Sequence, residues 1–223
     1  MSDRRPGKPR DPAILRSGVR LKRRIGLEEE QSPDERCMPE VSGLALRTLC
    51  RSLKQLRGDP CLRRALAELP DDIAAELARG AVRADGWYPL AWLIDLHHVA
   101  QRITGVGPEL SRTLGYEGSR HNFRGAHRFY VTGDDPSLVL KRAPWVFGLF
   151  YRGCGTLDII ESRAGFARAR WIEAVAFTDS LWQEQLGSCE AALEASGARR
   201  LTCRFDCGGR SGSPVTELLA EWT

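Results

Sequence analysis

The chain has 223 residues, 42% of them apolar with six tryptophans, a size that suits one large domain or two small ones with a real core. No window approaches about 18 uninterrupted apolar residues, which argues against a membrane-spanning helix. The opening MSDRRPGKPRDP has no apolar stretch behind its basic residues, so it does not read as a secretory signal. A cytoplasmic protein is expected.

The net charge of +4 is unevenly placed. Residues 1–30 hold nine Lys/Arg and five acids, so the rest of the chain is neutral. Residues 1–40, broken by Pro6, Pro9, Pro12, Pro33 and Pro39, read as a disordered basic arm with too little apolar surface to offset its ordering entropy. Within it, Val19–Lys22 alternates apolar and basic residues like a strand seeking a partner. Residues 41–223 read as a single α+β, sensor-like domain.

Leu44, Leu46, Leu49, Leu53 and Leu56 recur at helical spacing, and Gly58 is placed to stop that helix. A short helix over Pro60–Leu66 follows. Another begins at Pro70-Asp71-Asp72, where two acids suit the positive end of a helix dipole, and Gly80 ends it. Pro89 opens a strongly apolar helix running to Ile103, expected to be central. The spacing then predicts a helix over Pro108–Leu114 and a separate one over Glu117–Tyr130. Asp134-Asp135-Pro136 starts the next, and Pro144 marks a break. Beyond Gly153, two strands over 155–161 and 165–173 form a hairpin, with Arg168 and Arg170 giving the second strand a wet face. A long helix spans Asp179–Ala195, and strands over Arg199–Asp206 and Pro214–Glu221 flank a Gly-rich loop. The fold class is therefore α+β: an N-terminal helical layer packed on a C-terminal antiparallel sheet, two hairpins with a long helix between them.

Three phrases carry a family likeness: Gly86-Trp87-Tyr88-Pro89-Leu90, the run Ala143–Gly153, and Phe177…Leu181-Trp182…Leu186-Gly187 on the long helix. They resemble a large paralogous domain family of unknown function in myxobacteria. More distantly, the layout is similar to 4-vinyl-reductase-type sensor domains and to the heme-nitric-oxide-binding fold. The resemblance implies a sheet packed on helices with an apolar cavity between them. Heme-binding relatives use a helical histidine shortly before a Tyr-x-Ser-x-Arg motif. Here Asp134–Arg152 contains no histidine, and Tyr151-Arg152-Gly153-Cys154-Gly155 departs from the motif. No heme, and no other cofactor, is expected.

The ligand-binding candidates are aromatic side chains with one histidine: Trp87, Tyr88, Trp92, His97, Trp145, Phe150, Tyr151 and Trp182. Such rings line apolar pockets, although aromatics at helical spacing are more often core. His97 and His98 project about 100° apart on a helix and cannot easily share a metal. His97 reads better as a hydrogen-bonded structural residue. Arg120, Arg124 and Arg128 recur at i, i+4, i+8 as a basic stripe for a phosphate or acidic partner, with a solvated face as the plainer reading. Arg20, Lys22, Arg23 and Arg24 of the arm add to that surface, although no aromatic is interleaved to stack on bases. Seven scattered cysteines read as buried thiols, and Cys203-x3-Cys207 lacks the spacing of a zinc knuckle, so no metal site is assigned to Cys189, Cys203 or Cys207. No nucleophile elbow, phosphate loop or zinc-protease motif is present, and Gly208–Gly212 reads as a hairpin loop.

These features together predict a non-enzymatic sensor or adaptor domain binding a small apolar ligand or a protein partner, with a homodimer among the expected assemblies. The alternative is a nucleic-acid-associated accessory protein that uses the basic arm.

Overall fold

Apolar residues at helical spacing in the first half and at strand spacing in the second set the architecture. The computed structural model describes residues 38–125, 127–131 and 135–223. Residues 1–37 of the expected arm, with the Val19–Lys22 strand and basic residues Arg20, Lys22, Arg23 and Arg24, lie outside the described residues, whereas Glu40, placed in the arm, begins the first strand. Among those described, seven helices and two antiparallel sheets make an α+β fold. No described helix is long and apolar enough to cross a membrane.

Strand β1 (Glu40–Ser42) leads into α1 (Gly43–Arg57), where the Ser42 hydroxyl accepts from the Ala45 amide as an N-cap. Gly58, at φ 84°, ends α1 where an L side chain would be strained. Helices α2 (Asp59–Ala67) and α3 (Asp71–Ala78) follow, then β2 (Trp87–Pro89) and α4 (Leu90–Thr104). The central helix is as expected: Leu93, Leu96, Val99 and Ala100 are all buried.

The next stretch departs from expectation. One continuous helix, α5 (Glu109–Arg124), replaces the two predicted, and a short 3-10 turn covers Arg128–Tyr130. Gly115 and Gly118 do not break it, although each glycine costs a helix about 1 kcal/mol. Other elements need the room. A Cβ at Gly115 would lie 2.3 Å from the Glu184 carbonyl oxygen, and one at Gly118 2.6 Å from a Thr48 methyl. Helix α6 (Pro136–Phe150) starts at an Asp135 cap and runs unbroken through Pro144. The predicted break is overridden because Val139 and Leu140 before the proline and Phe147 after it are all buried in the interior.

Three strands too short for any periodicity, β1, β2 and β3 (Tyr151–Arg152), pair as a sheet in the order β2-β1-β3. Val41 sits opposite both Tyr88 and Tyr151, which ties the starts of α1 and α4 to the end of α6.

The larger sheet combines β4 (Thr156–Arg163), β5 (Phe166–Ile172), β6 (Thr202–Cys207) and β7 (Val215–Glu221), with α7 (Asp179–Ala195) inserted between the hairpins. The order β4-β5-β7-β6 joins the hairpins through β5 and β7, with Ala169 opposite Leu218 and Trp171 opposite Thr216. Ala167, Ala169 and Trp171 alternate inward. On the other face Arg168 and Arg170 bridge the buried Glu217 at 3.2 and 2.6 Å, so the expected wet face is a cross-strand charge cluster. The Gly-rich loop is a hairpin loop that also serves α7: Asp179 accepts from the Ser211 amide at 2.7 Å, and the Ser211 hydroxyl accepts from the Asp179 amide at 3.0 Å. Helix α7 packs along α5, α6 covers β4, and the buried apolar residues of helices and sheet form one cluster.

Candidate functional site

Between α1, α5, α6 and α7, with Trp171 and Leu157 of the sheet in its wall, lies a cavity of about 140 Å³. Its lining follows helical phase. On α6 the wall residues are Val139, Leu140, Ala143, Val146, Phe147 and Phe150, one stripe of the helix. On α7 they are Glu184, Gln185, Ser188, Cys189 and Ala192, which give the space one polar side, while Thr48, Ser119, Asn122 and His127 add polar atoms elsewhere in the lining.

That polar side is wired into the core. The Gln185 amide donates to the Tyr151 hydroxyl at 2.9 Å, and the Tyr151 hydroxyl reaches Glu184 Oε2 at 3.5 Å. Burial first, then the Glu184 carboxylate nearby, holds the Tyr151 phenol well above its ordinary pKa, so it stays protonated. Behind Glu184 lies His97, fully buried, with Nε2 3.2 Å from Glu184 Oε2. That nitrogen is close enough for an ion pair yet lacks the alignment of a hydrogen bond. Its Nδ1 is 2.9 Å from Ser111 Oγ.

Of the predicted ligand residues, Phe150 and Tyr151 line the cavity and the others do not. Trp182 is wholly buried among Trp171, Phe177 and Phe205, with its indole N–H donating to the Arg210 carbonyl at 3.0 Å. It is core rather than wall. Trp87 lies under the Arg152 guanidinium at 3.7 Å, and Tyr88 stacks on Trp92 at 5.3 Å, both around the small sheet. Trp145 is 56% exposed, with its ring edge-on to Tyr130 of the wall at 4.9 Å. His97 stands one layer behind the wall.

The arginine stripe does not form. Helix α5 ends at Arg124, and Arg128 lies on the 3-10 turn beyond Gly125, where the i, i+8 relation lapses. Arg120 pairs with Glu117 at 3.2 Å. Arg120 and Arg124 instead border a surface groove with Arg199 and Arg200. Among the thiols, burial pushes Cys50 and Cys189 up to about 12 and raises Cys203 as well, so these are protonated side chains. Among the described residues no three His, Cys, Asp or Glu side chains gather as a metal site.

The residues that sequence reasoning missed are Glu184, Gln185 and the α6 stripe before Phe150. A signal existed for Glu184: it falls three residues after Leu181, in phase with the core side of α7, where a carboxylate is out of place.

The chain has the fold of H-NOX (heme nitric oxide/oxygen binding) domains. It is similar to an oxygen-binding H-NOX domain related to soluble guanylate cyclases, with a TM-score of 0.61 and 12% identity, over 82% of this chain and 95% of that one. It is also similar to an Fe(II) unliganded H-NOX protein from K. algicida, with a TM-score of 0.63 and 11% identity, over 82% of this chain and 96% of that one. No family model matches the sequence, and no curated protein does.

Heme does not fit the residues present. An engineered cavity of about 150 Å³ takes benzene or xenon, and a porphyrin is several times larger. No Lys or Arg lines the wall to meet heme propionates, whose burial unpaired is costly. Helix α6 carries no histidine. One imidazole does reach the lining, His127, on the segment after α5. Burial lowers its pKa, and its ring packs edge-on against Tyr130 and Phe150.

Proposed function

We propose that the protein is a cytoplasmic, non-enzymatic sensor domain that holds one small, largely apolar molecule of single-ring size between α1, α5, α6 and α7. The observation that carries this reading is the cavity: about 140 Å³, walled by the α6 stripe and by Phe147, Phe150 and Trp171. The H-NOX-like fold supports a ligand between these layers, while the size and charge of the lining favour an aromatic ring over a porphyrin. A ligand seated there touches α5, α6 and α7 together, so its presence shifts the balance between arrangements of those helices that a protein partner reads.

Ala143→Phe places a benzyl group in the cavity and is the direct test. Benzene at about a hundredfold excess over its dissociation constant stabilises a one-site binder by about 2.7 kcal/mol, roughly 5–10 °C in melting temperature for a chain this long. The wild-type protein is expected to shift by that amount and Ala143→Phe by nothing. Hemin added to the wild-type protein is expected to give no sharpened Soret band. No shift in the wild-type protein, or equal shifts in both, contradicts the proposal.

A further inference from the structure

The cavity has an unmet acceptor. Glu184 is 9% exposed and lines the space, and no Lys or Arg shares the wall with it. Two donors approach its carboxylate, both at Oε2: the Tyr151 hydroxyl at a long 3.5 Å, and the misaligned His97 Nε2 at 3.2 Å. Among the described residues nothing donates to Oε1.

Neighbouring groups do not supply the missing donor. The Gln185 amide is committed to the Tyr151 oxygen, and the Ser188 hydroxyl points at the Gly115 carbonyl at 3.5 Å. Behind the wall, Gln101 Nε2 donates to both Ser111 Oγ and Ser180 Oγ at 2.8 Å. With Gln101 filling one lone pair of Ser111, that hydroxyl's proton is free for His97 Nδ1, 2.9 Å away. The imidazole proton then sits on Nε2, facing Glu184. The pair is oriented but not well bonded: His97 Nε2 is left without a hydrogen bond, and the Glu184 carboxylate keeps acceptor capacity for a further donor.

We infer that the molecule held in the cavity carries a single hydrogen-bond donor, a hydroxyl or a protonated amine on an otherwise apolar ring, and gives it to Glu184. The remaining surface of the ligand meets Leu140, Phe147 and Phe150, which discriminate by shape alone. An anionic ring such as benzoate is repelled by the same carboxylate. This inference rests on the proposed use of the cavity as a ligand site and adds the chemistry of what enters it.

Calorimetric titration with ethylbenzene, benzyl alcohol, benzylamine and benzoate separates the two claims. These probes share a ring and differ at the substituent. Glu184→Gln, and Glu184→Leu as a second variant of similar apolar volume, are expected to keep ethylbenzene within about twofold of wild type, which also reports that the cavity is intact. Both are expected to weaken at least one donor-bearing probe by about tenfold, the scale of a charge-assisted hydrogen bond. Loss confined to benzylamine identifies an ammonium ligand, and loss of benzyl alcohol identifies a hydroxyl. If ethylbenzene binds and both donor probes are indifferent to Glu184, the inference fails while the cavity remains a ligand site. If no probe binds the wild-type protein, the underlying reading fails with it.

Discussion

Trp182→Ala is expected to destabilise the protein by about 3–5 kcal/mol, lowering its melting temperature by roughly 6–20 °C. The indole is wholly buried, with Trp171, Phe177 and Phe205 packed around it at 5.0–5.8 Å between ring centres. Its N–H holds the Arg210 carbonyl of the β6–β7 loop at 3.0 Å. Truncation removes that contact surface and leaves a void that α7 and the sheet cannot close without sliding. A loss of this size is a large part of the 5–15 kcal/mol that holds a typical domain together. Trp182→Phe keeps most of the ring contacts, loses the hydrogen bond, and is expected to cost about 1–2 kcal/mol. Denaturant unfolding followed by circular dichroism measures both. A cost below about 1 kcal/mol for the alanine variant would show that this side chain faces open space.

Gly187→Ala is the second large effect, and its sign runs against intuition. Alanine is the better helix former by about 1 kcal/mol, and on an open helix face the exchange stabilises. Here a Cβ would lie 2.0 Å from the Arg112 carbonyl oxygen and 2.9 Å from the Tyr116 amide nitrogen. Those are backbone atoms of α5, which cannot swing aside as a side chain does. Helices α5 and α7 must separate, at about 1–3 kcal/mol beyond the propensity gain. Separation also moves Glu184, whose carbonyl faces Gly115 across the same crossing, so ligand binding should weaken with stability. Gly148→Ala is the control: nothing lies within 4 Å of its Cβ position on α6. It is expected to stabilise by about 0.5–1 kcal/mol. Destabilisation by both variants, or by neither, contradicts the close crossing.

Where the signal is local, the sequence was readable. The leucine spacing of α1, the Pro89 start of α4 and the Asp135 cap of α6 each act within a few residues. Gly115 and Pro144 misled because their usual local meaning, a break, was outweighed by what α7 and the core require of α5 and α6. The β5–β7 pairing was out of reach, since it joins segments separated by the whole of α7. Strands β1 to β3 are two or three residues long and leave no period to detect.

The site was less legible than the fold. Phe150 and Tyr151 were found by the rule that aromatic rings line apolar pockets, and both do face the cavity. Trp182 was chosen by the same aromatic rule and sits in the core, because which side of α7 meets the sheet is settled by tertiary packing. Glu184 carried the more useful signal, a carboxylate in core phase, and no aromatic count would have found it.

Diffraction from a crystal of the wild-type protein pressurised with xenon shows whether an apolar guest enters the cavity. Xenon density is expected between α5, α6 and α7, in contact with Leu140, Phe147 and Phe150. Filled protein density at that place, or a porphyrin carried through purification, would contradict the proposed site.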